Sequence, residues 1–209
     1  MRSEGVKPAT FTQSARRAQI IDEAIEVIAE IGWAQTSIRK IAERVGVAMS
    51  AVLYHFGNKD NLVEAIIERM YRTALSVIVP AIVSESTATD KLAAYIRGSV
   101  AYFDTHRSYL AALTQLSAGY QPSGGRRFDE LGLTPDLQAE LAALDPTAIL
   151  TAGQQDREFG DFPIASMALA IRGSVNAVVE KILRDPDFDA RAYGEDLVAI
   201  FSGAVAVTK

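Results

Sequence analysis

The segment Tyr54-His55-Phe56 places two aromatic side chains and a histidine at successive positions, and Lys59 follows three residues later. A phenol, an imidazole and an ammonium group can each donate hydrogen bonds to an anionic or polar partner. Catalysis needs other patterns, and the sequence has no His, Asp and Glu cluster with metal-ligand spacing, no glycine-rich phosphate loop and no serine nucleophile elbow. His106, the second of the two histidines, stands alone in the sequence. We therefore expect binding rather than an enzyme, with no cofactor and no metal.

The composition is that of a globular protein whose basic groups are concentrated near its N-terminus. The chain has 209 residues, of which 49% are apolar and 22% charged, and it has no cysteine. Its net charge is -5, but residues 1–60 contain 8 Lys and Arg against 7 Asp and Glu, whereas the remainder contains 13 against 19. Such a chain can bind DNA if its basic groups share one face. The N-terminus has no apolar core of the kind that a signal peptide needs, and no segment has the apolar length of a membrane span, so we expect a cytoplasmic protein.

Apolar residues recur at helical spacing along the whole chain, which predicts an all-α fold of about nine to ten helices. Glycine, proline and capping residues set the predicted helix ends. Pro80 should kink or end the fourth helix. The polar segment 84–90, which follows this helix, is the best candidate for a linker with few contacts. The predicted helices are 14–31, 37–45, 48–55, 59–79, 90–105, 107–118, 135–143, 146–157, 163–184 and 189–207.

Residues 38–57 match the pattern of a helix-turn-helix. Ala42 stands at the fifth position, where a small side chain lets two helices approach closely, and Gly46 stands at the ninth, where the chain turns. Val52 fills the interface at the fifteenth position. These residues would hold the second helix across the first, so that its outer face can enter a major groove. Helical hairpins that do not bind DNA can have the same pattern.

The long first helix, this motif, the sequence LYHFGNKDNL and a long fourth helix together resemble the TetR family of tetracycline-repressor-like bacterial regulators. The resemblance covers roughly residues 14–70. It implies an N-terminal helix-turn-helix domain over 1–58, with an arm at 1–13, and a C-terminal regulatory, ligand-binding and dimerisation domain over 59–209. It also implies a homodimeric repressor that binds a near-palindromic double-stranded operator and leaves it when a small-molecule effector binds.

Position by position, the resemblance assigns DNA contacts to the start of the second helix, to the recognition helix 48–55 and to a phosphate-binding lysine. Family members often have a basic residue where this chain has Met49 and a tyrosine where it has Leu53. We therefore expect fewer ionic contacts and a shallower salt dependence, with Arg2, Lys7, Arg16 and Arg17 of the N-terminal arm as candidates to compensate. The assigned residues are Thr36, Ser37, Arg39, Ala48, Met49, Ser50, Ala51, Tyr54, His55 and Lys59.

The helices at 163–184 and 189–207 carry apolar residues on more than one face. A surface helix needs only one apolar stripe, so the excess must be buried, either in a four-helix bundle with a second chain or within one chain. The first possibility, which the resemblance favours, assigns the dimer interface to Val175, Val178, Val179, Ile182, Leu197, Phe201 and Val205.

A mostly apolar lining with a few polar anchors along the middle helices is typical of a pocket for an apolar or amphipathic effector, although such a stripe is also typical of plain core. Asn176 suits either the pocket or the dimer interface. Two other functions remain open: a DNA-binding activator or architectural protein without an effector, and a helical scaffold that binds small molecules or proteins. The candidate ligand-binding residues are Tyr102, Phe103, Leu110, Leu113, Gln115, Leu116, Met167, Ile171 and Asn176.

Overall fold

The computed structural model describes residues 11–122, 127–128 and 131–207. Every regular element within these ranges is helical, which confirms the predicted all-α fold. Single 3₁₀ turns at Trp33–Gln35 and Ala142–Leu144 accompany the longer helices. The α-helices are α1 (Phe11–Ile31), α2 (Ile38–Val45), α3 (Met49–Phe56), α4 (Lys59–Val83), α5 (Ala88–Thr105), α6 (Arg107–Gly119), α7 (Pro135–Leu141), α8 (Thr147–Gln155), α9 (Ile164–Arg184) and α10 (Ala190–Val205).

Short polar residues and glycines end these helices for local reasons. The Ser37 hydroxyl accepts a hydrogen bond from the Lys40 amide at 3.2 Å, which satisfies a donor that α2 itself leaves unpaired. Gly46 closes α2 in the left-handed conformation, with φ 74° and ψ 35°, where a side chain would be strained. Thr134 caps α7 in the same way as Ser37 caps α2. These features explain why the predicted boundaries lie within a few residues of the observed ones.

We expected α4 to kink or end at Pro80. The helix ends at Val83, three residues beyond the proline. Proline removes one backbone donor, but Ile78 and Ile82, on either side of it, are both buried. Burial of these side chains offsets the lost hydrogen bond, because most helical stability in proteins comes from tertiary packing.

The described residues fall into two compact units. The first comprises those of Met1–Ile67 and Ala112–Gly132, and the second those of Glu68–Ala111 and Leu133–Lys209. The change from one unit to the other occurs within α4 and again within α6. The functional division that we expected between residues 58 and 59 stays a prediction. Of the arm predicted at 1–13, residues 1–10 lie outside the described residues and residues 11–13 belong to α1.

In the first unit, α1, α2 and α3 pack together, with Ile25, Ile28 and Ile41 among the fully buried side chains. In the second unit, α5 packs against α8, α9 and α10 around a continuous apolar core that includes Ile96, Leu150 and Ile171. None of the helices in the described part of the chain is long and apolar enough to span a membrane.

Candidate nucleic-acid interface

Helix α3 has one face packed in the first unit and one face open to solvent. Val52 and Phe56 are buried, so they fix the inner face. Tyr54, by contrast, is 74% exposed. The half-buried Ala51 and His55 border the open face. The exposed residues of this helix and of the position before it are Ala48, Met49, Ser50, Leu53 and Tyr54. An open face that joins apolar groups to a hydroxyl and a phenol suits base edges and thymine methyl groups.

Helix α2 holds α3 in place through its own buried face. Ile41 and Ala42 are almost completely buried where α2 and α3 pack, as the helix-turn-helix pattern predicts. The opposite face is charged. Arg39 is exposed and forms an ion pair with Glu43 at 3.5 Å, and Arg44 forms a two-pronged ion pair with Glu30 of α1. The pair of Arg39 is weak because both groups are solvated, so its guanidinium can exchange Glu43 for a phosphate at little cost.

Thr36 does not belong to the exposed surface, contrary to our assignment. Its side chain is 4% exposed, and its hydroxyl donates a hydrogen bond to the Gly32 carbonyl at 2.8 Å. Gly32 has φ 78°, so this bond spans a tight turn between α1 and α2. A hydroxyl that bonds inside the fold is not available to a ligand. Thr36 therefore stabilises the approach to α2, while Ser37 occupies the helix terminus itself.

Lys59 has more protein contacts than a free surface lysine. Its ammonium donates a hydrogen bond to the Thr36 carbonyl at 2.8 Å and lies 3.6 Å from the centre of the Trp33 ring. Burial lowers the pKa of Lys59 below its usual value, and the nearby Asp60 carboxylate acts in the opposite direction. The indole is half-buried, and its face carries the cation.

The first turns of α1 lie beside the C-terminal end of α3. The Arg17 guanidinium is 5.0 Å from the centre of the Phe56 ring, and the Gln13 amide is 3.5 Å from the Tyr54 hydroxyl. Burial, together with the charges of Arg17 and Arg16, lowers the pKa of His55 below its usual value. Arg16 and Arg17, which we grouped with the N-terminal arm, are part of α1, as the predicted helix 14–31 implies, whereas Arg2 and Lys7 lie outside the described residues.

The residues that we assigned to the dimer interface are, with one exception, buried inside the second unit, which corrects that assignment. Six of these side chains lie in the core of a single chain, which was the second possibility for the apolar excess of the two helices: Val175, Val178, Ile182, Leu197, Phe201 and Val205. Val179 is half-buried against the same core. The open faces of α9 and α10 carry other residues. Leu169 is 65% exposed and Ile200 60% exposed, and Asn176 is also open to solvent.

The candidate ligand-binding residues are divided between the two units. Tyr102 and Ile171 lie in the main core of the second unit, with Phe103 and Met167 packed against its edge. Leu110 belongs to a smaller core in the same unit. The remaining candidates of the middle helices, Leu113, Gln115 and Leu116, belong to the first unit. The Tyr102 hydroxyl already donates a hydrogen bond to the Met70 carbonyl at 3.0 Å, so it is a structural group as it stands.

The second unit contains an ion pair that sequence reasoning missed. Asp145 accepts a hydrogen bond from the Thr147 amide at 2.8 Å, at the start of α8, and it also forms an ion pair with Arg172 of α9. Burial, reinforced by the charge of Asp145, raises the pKa of Tyr95 to about 12. No group of His, Asp and Glu residues in the described part of the chain is arranged to hold a metal ion.

The amino-acid sequence of this chain is similar to those of known bacterial regulatory proteins. Residues 20–66 match the sequence model of "Bacterial regulatory proteins, tetR family". The chain is 27% identical over 190 residues to the "Fatty acid metabolism regulator protein" of Bacillus subtilis, an alignment that covers 90% of this chain and 94% of that protein. It is 38% identical over 58 residues to "HTH-type transcriptional regulator BetI 1" of Chromohalobacter salexigens, which covers 28% of this chain and 29% of that protein.

Two solved structures show the same fold over almost the whole chain. One is a tetR-family regulatory protein from Rhodococcus RHA1, with a TM-score of 0.74 and 24% identity over 93% of this chain and 98% of that one. The other is the transcriptional regulator FadR of Bacillus subtilis in complex with stearoyl-CoA, with a TM-score of 0.70 and 22% identity over 90% of this chain and 98% of that one.

Proposed function

Because this chain belongs to the tetR family of bacterial regulatory proteins, we propose that it is a homodimeric repressor that leaves a near-palindromic operator when an amphipathic effector binds. The observation that carries the proposal is the two-sided helix α3. Its inner face is anchored by the buried Val52 and Phe56, while Tyr54 and its neighbours on the outer face are exposed to solvent. A helix held in this way presents its outer face to the major groove.

The proposed contact surface consists of the open face of α3, with His55 at its edge, the start of α2 at Ser37 and Arg39, and the ammonium of Lys59. Ser50 and Tyr54 read base edges or bind phosphates, and Ala48, Met49 and Ala51 supply apolar contacts. Lys59 and the amino end of α2 bind a phosphate together, because helix N-termini attract anions. We leave Thr36 out of this surface because its hydroxyl is bonded to Gly32.

The proposed dimer forms through the open faces of α9 and α10. Leu169, Leu183 and Ile200 are large apolar side chains that one chain leaves exposed there, and Val207, just after the end of α10, is exposed as well. A two-fold axis would pair each of these faces with its copy and bury them. Asn176, also on the open side of α9, would lie in this interface rather than in a pocket. A dimer of this kind places two copies of α3 on two half-sites of one operator.

The proposed effector is a fatty acyl-CoA or a similar long amphipath. Its support is the relationship to the fatty acid metabolism regulator and to the FadR structure that contains stearoyl-CoA. The second unit offers matching chemistry, since half-buried Phe103, Phe162, Ile164 and Met167 lie against its apolar core. Arg172, whose side chain is partly open to solvent, offers a positive charge on α9, the helix that also carries Ile164 and Met167.

Selection of bound duplexes from a random pool at about 50 mM salt, where phosphate contacts are strongest, tests the proposal. We expect an inverted repeat whose half-sites are related by the dimer axis. Palmitoyl-CoA should then release the selected duplex, whereas free CoA, which lacks the apolar chain, should not. A protein that selects no sequence would instead be a helical scaffold. If it selects a sequence but never releases it for any acyl-CoA, the effector assignment is wrong.

A further inference from the structure

The ammonium of Lys59 is held from two sides by groups that precede α2. The Thr36 carbonyl accepts a hydrogen bond from it at 2.8 Å, and the Trp33 ring lies 3.6 Å away. A cation at that distance from an indole face is attracted by the negative face of the ring. An ammonium group has three donors, and the Thr36 carbonyl is its one hydrogen-bond acceptor among the described residues. The remaining donors are available to an incoming anion.

Trp33 is itself fixed in place by residues at the end of α6. Its ring meets the Tyr120 ring edge-on, with centres 5.2 Å apart and planes at 83°. The Tyr120 hydroxyl donates a hydrogen bond to Asp60 at 2.8 Å, one residue after the lysine that the indole holds. A methyl group added at Gly119 would lie 3.3 Å from the Trp33 ring, so the backbone of α6 also approaches the indole closely. The indole therefore has little freedom to move.

The ammonium of Lys59 lies beside the residues that begin α2. Thr36 immediately precedes Ser37, the capping residue of α2. An ammonium bonded to the Thr36 carbonyl is therefore next to the amide groups at the N-terminus of α2, which attract a phosphate. Lysine normally loses much side-chain freedom when it binds a partner. A lysine already held at the required place loses less.

We propose that Trp33 is a positioning residue for DNA binding, which holds the Lys59 ammonium beside the N-terminus of α2 so that both contact one phosphate. This inference rests on the proposed function. In this proposal Trp33 itself does not contact DNA. The indole acts through Lys59, and Tyr120 and Asp60 act through the indole.

The first test compares the salt dependence of DNA binding for Trp33→Leu, Trp33→Phe and Lys59→Met on the selected duplex. Each phosphate contact contributes about 0.9 to the slope of log affinity against log salt. We expect Lys59→Met and Trp33→Leu each to lower the slope by about 0.9 per chain and the affinity by about tenfold, the size of one charge-assisted contact. Trp33→Phe, which keeps an aromatic face, should restore most of the slope. Trp33→Leu should have no further effect on the slope when Lys59 is already Met.

A purely structural role of Trp33 predicts a different result, namely a lower melting temperature in Trp33→Leu with the slope of the wild type. That outcome, in protein that is folded by circular dichroism, overturns the inference and leaves the proposed function intact. Lys181→Met, which removes an exposed lysine of α9, is the charge-matched control and should leave the slope unchanged.

The second test needs no DNA, because Trp33 is the one tryptophan of the chain. A cation at 3.6 Å from the indole perturbs its fluorescence, so Lys59→Met should change the emission spectrum of the free protein. Raising the pH should produce the same change in the wild type as Lys59 loses its proton, and burial lowers the pKa at which it does so. Lys59→Met should show only the change caused by ionisation of the tyrosines, which the two proteins share. Identical spectra for wild type and variant overturn the inference even if DNA binding is intact.

Discussion

The charge of His55 depends on its burial and on two neighbouring arginines. Burial and the charges of Arg17 and Arg16 lower its pKa, so its imidazole is neutral in the folded protein at neutral pH. The unfolded chain has the ordinary value of about 6.5 and binds more protons than the folded chain between the two values. The stability that His55 contributes is therefore present above about pH 6.5, and it is lost as the pH falls through the folded pKa.

We expect Arg17→Gln to raise the pKa of His55 without returning it fully to its usual value, because burial is the larger cause. Titration of the imidazole signals by NMR measures this directly. The chain has two histidines, so His106 serves as the internal reference and His55→Gln provides the assignment. An unchanged His55 pKa in Arg17→Gln would show that the guanidinium does not act on the imidazole.

Met49 is exposed at the start of the open face of α3. Met49→Lys adds a cation where family members often have one, so the slope of log affinity against log salt should steepen by about 0.9 per chain. Met49→Gln, which adds polarity without charge, should keep the wild-type slope. If the lysine variant also keeps that slope, a cation at position 49 does not reach a phosphate.

At the scale of the elements, the packing of α8 depends on a glycine. A methyl group added at Gly153 would lie 2.1 Å from the ring of Phe159, which is buried and cannot move aside freely. We expect Gly153→Ala to lower the free energy of unfolding by about 1–3 kcal/mol through overpacking. Gly98→Ala, also within a helix of the second unit, meets only ordinary contacts at 3.6 Å and should raise it by about 0.5–1 kcal/mol. Denaturant unfolding of both variants measures the difference, and similar effects would exclude the clash.

The oligomeric state of the protein tests whether the open face of α9 or its buried face forms the dimer interface. Leu169→Glu should convert a dimer into monomers and weaken operator binding, because a charge buried between two chains is unfavourable. Val83→Glu, at a residue that is 71% exposed on α4, is the matched control and should remain dimeric. Sedimentation velocity measures both. If Leu169→Glu sediments like the wild type, the open faces of α9 and α10 are not the interface.

Val178→Glu distinguishes the corrected interface from the original assignment. Val178 is fully buried within one chain, so this variant should unfold or lose its core packing rather than form folded monomers. Thermal melting followed by circular dichroism measures the loss. A folded monomer of Val178→Glu would favour the original assignment of this valine to the dimer interface.

Much of the fold follows from short-range chemistry and was therefore predictable from the sequence. Ser37 caps α2 and Gly46 ends it because a hydroxyl and a missing side chain act within three or four residues of the chain. The helix-turn-helix was recognisable for the same reason, since Ala42 and Val52 are close in sequence and their sizes determine how α2 and α3 pack. The inner and outer faces of α3 follow from the helical period once Val52 and Phe56 are buried.

Tertiary structure decided the features that depend on residues far apart in the chain. Periodicity showed that α9 is apolar on more than one face, but only packing against α5 and α10 showed that Val178 faces inward and Leu169 outward. Pro80 continues a helix because buried neighbours offset its missing donor. The sequence by itself determined the helices and the cation at Lys59. That this cation lies on Trp33, 26 positions earlier, was decided only by the fold, because the energy of such a contact depends on distance in space and not along the chain.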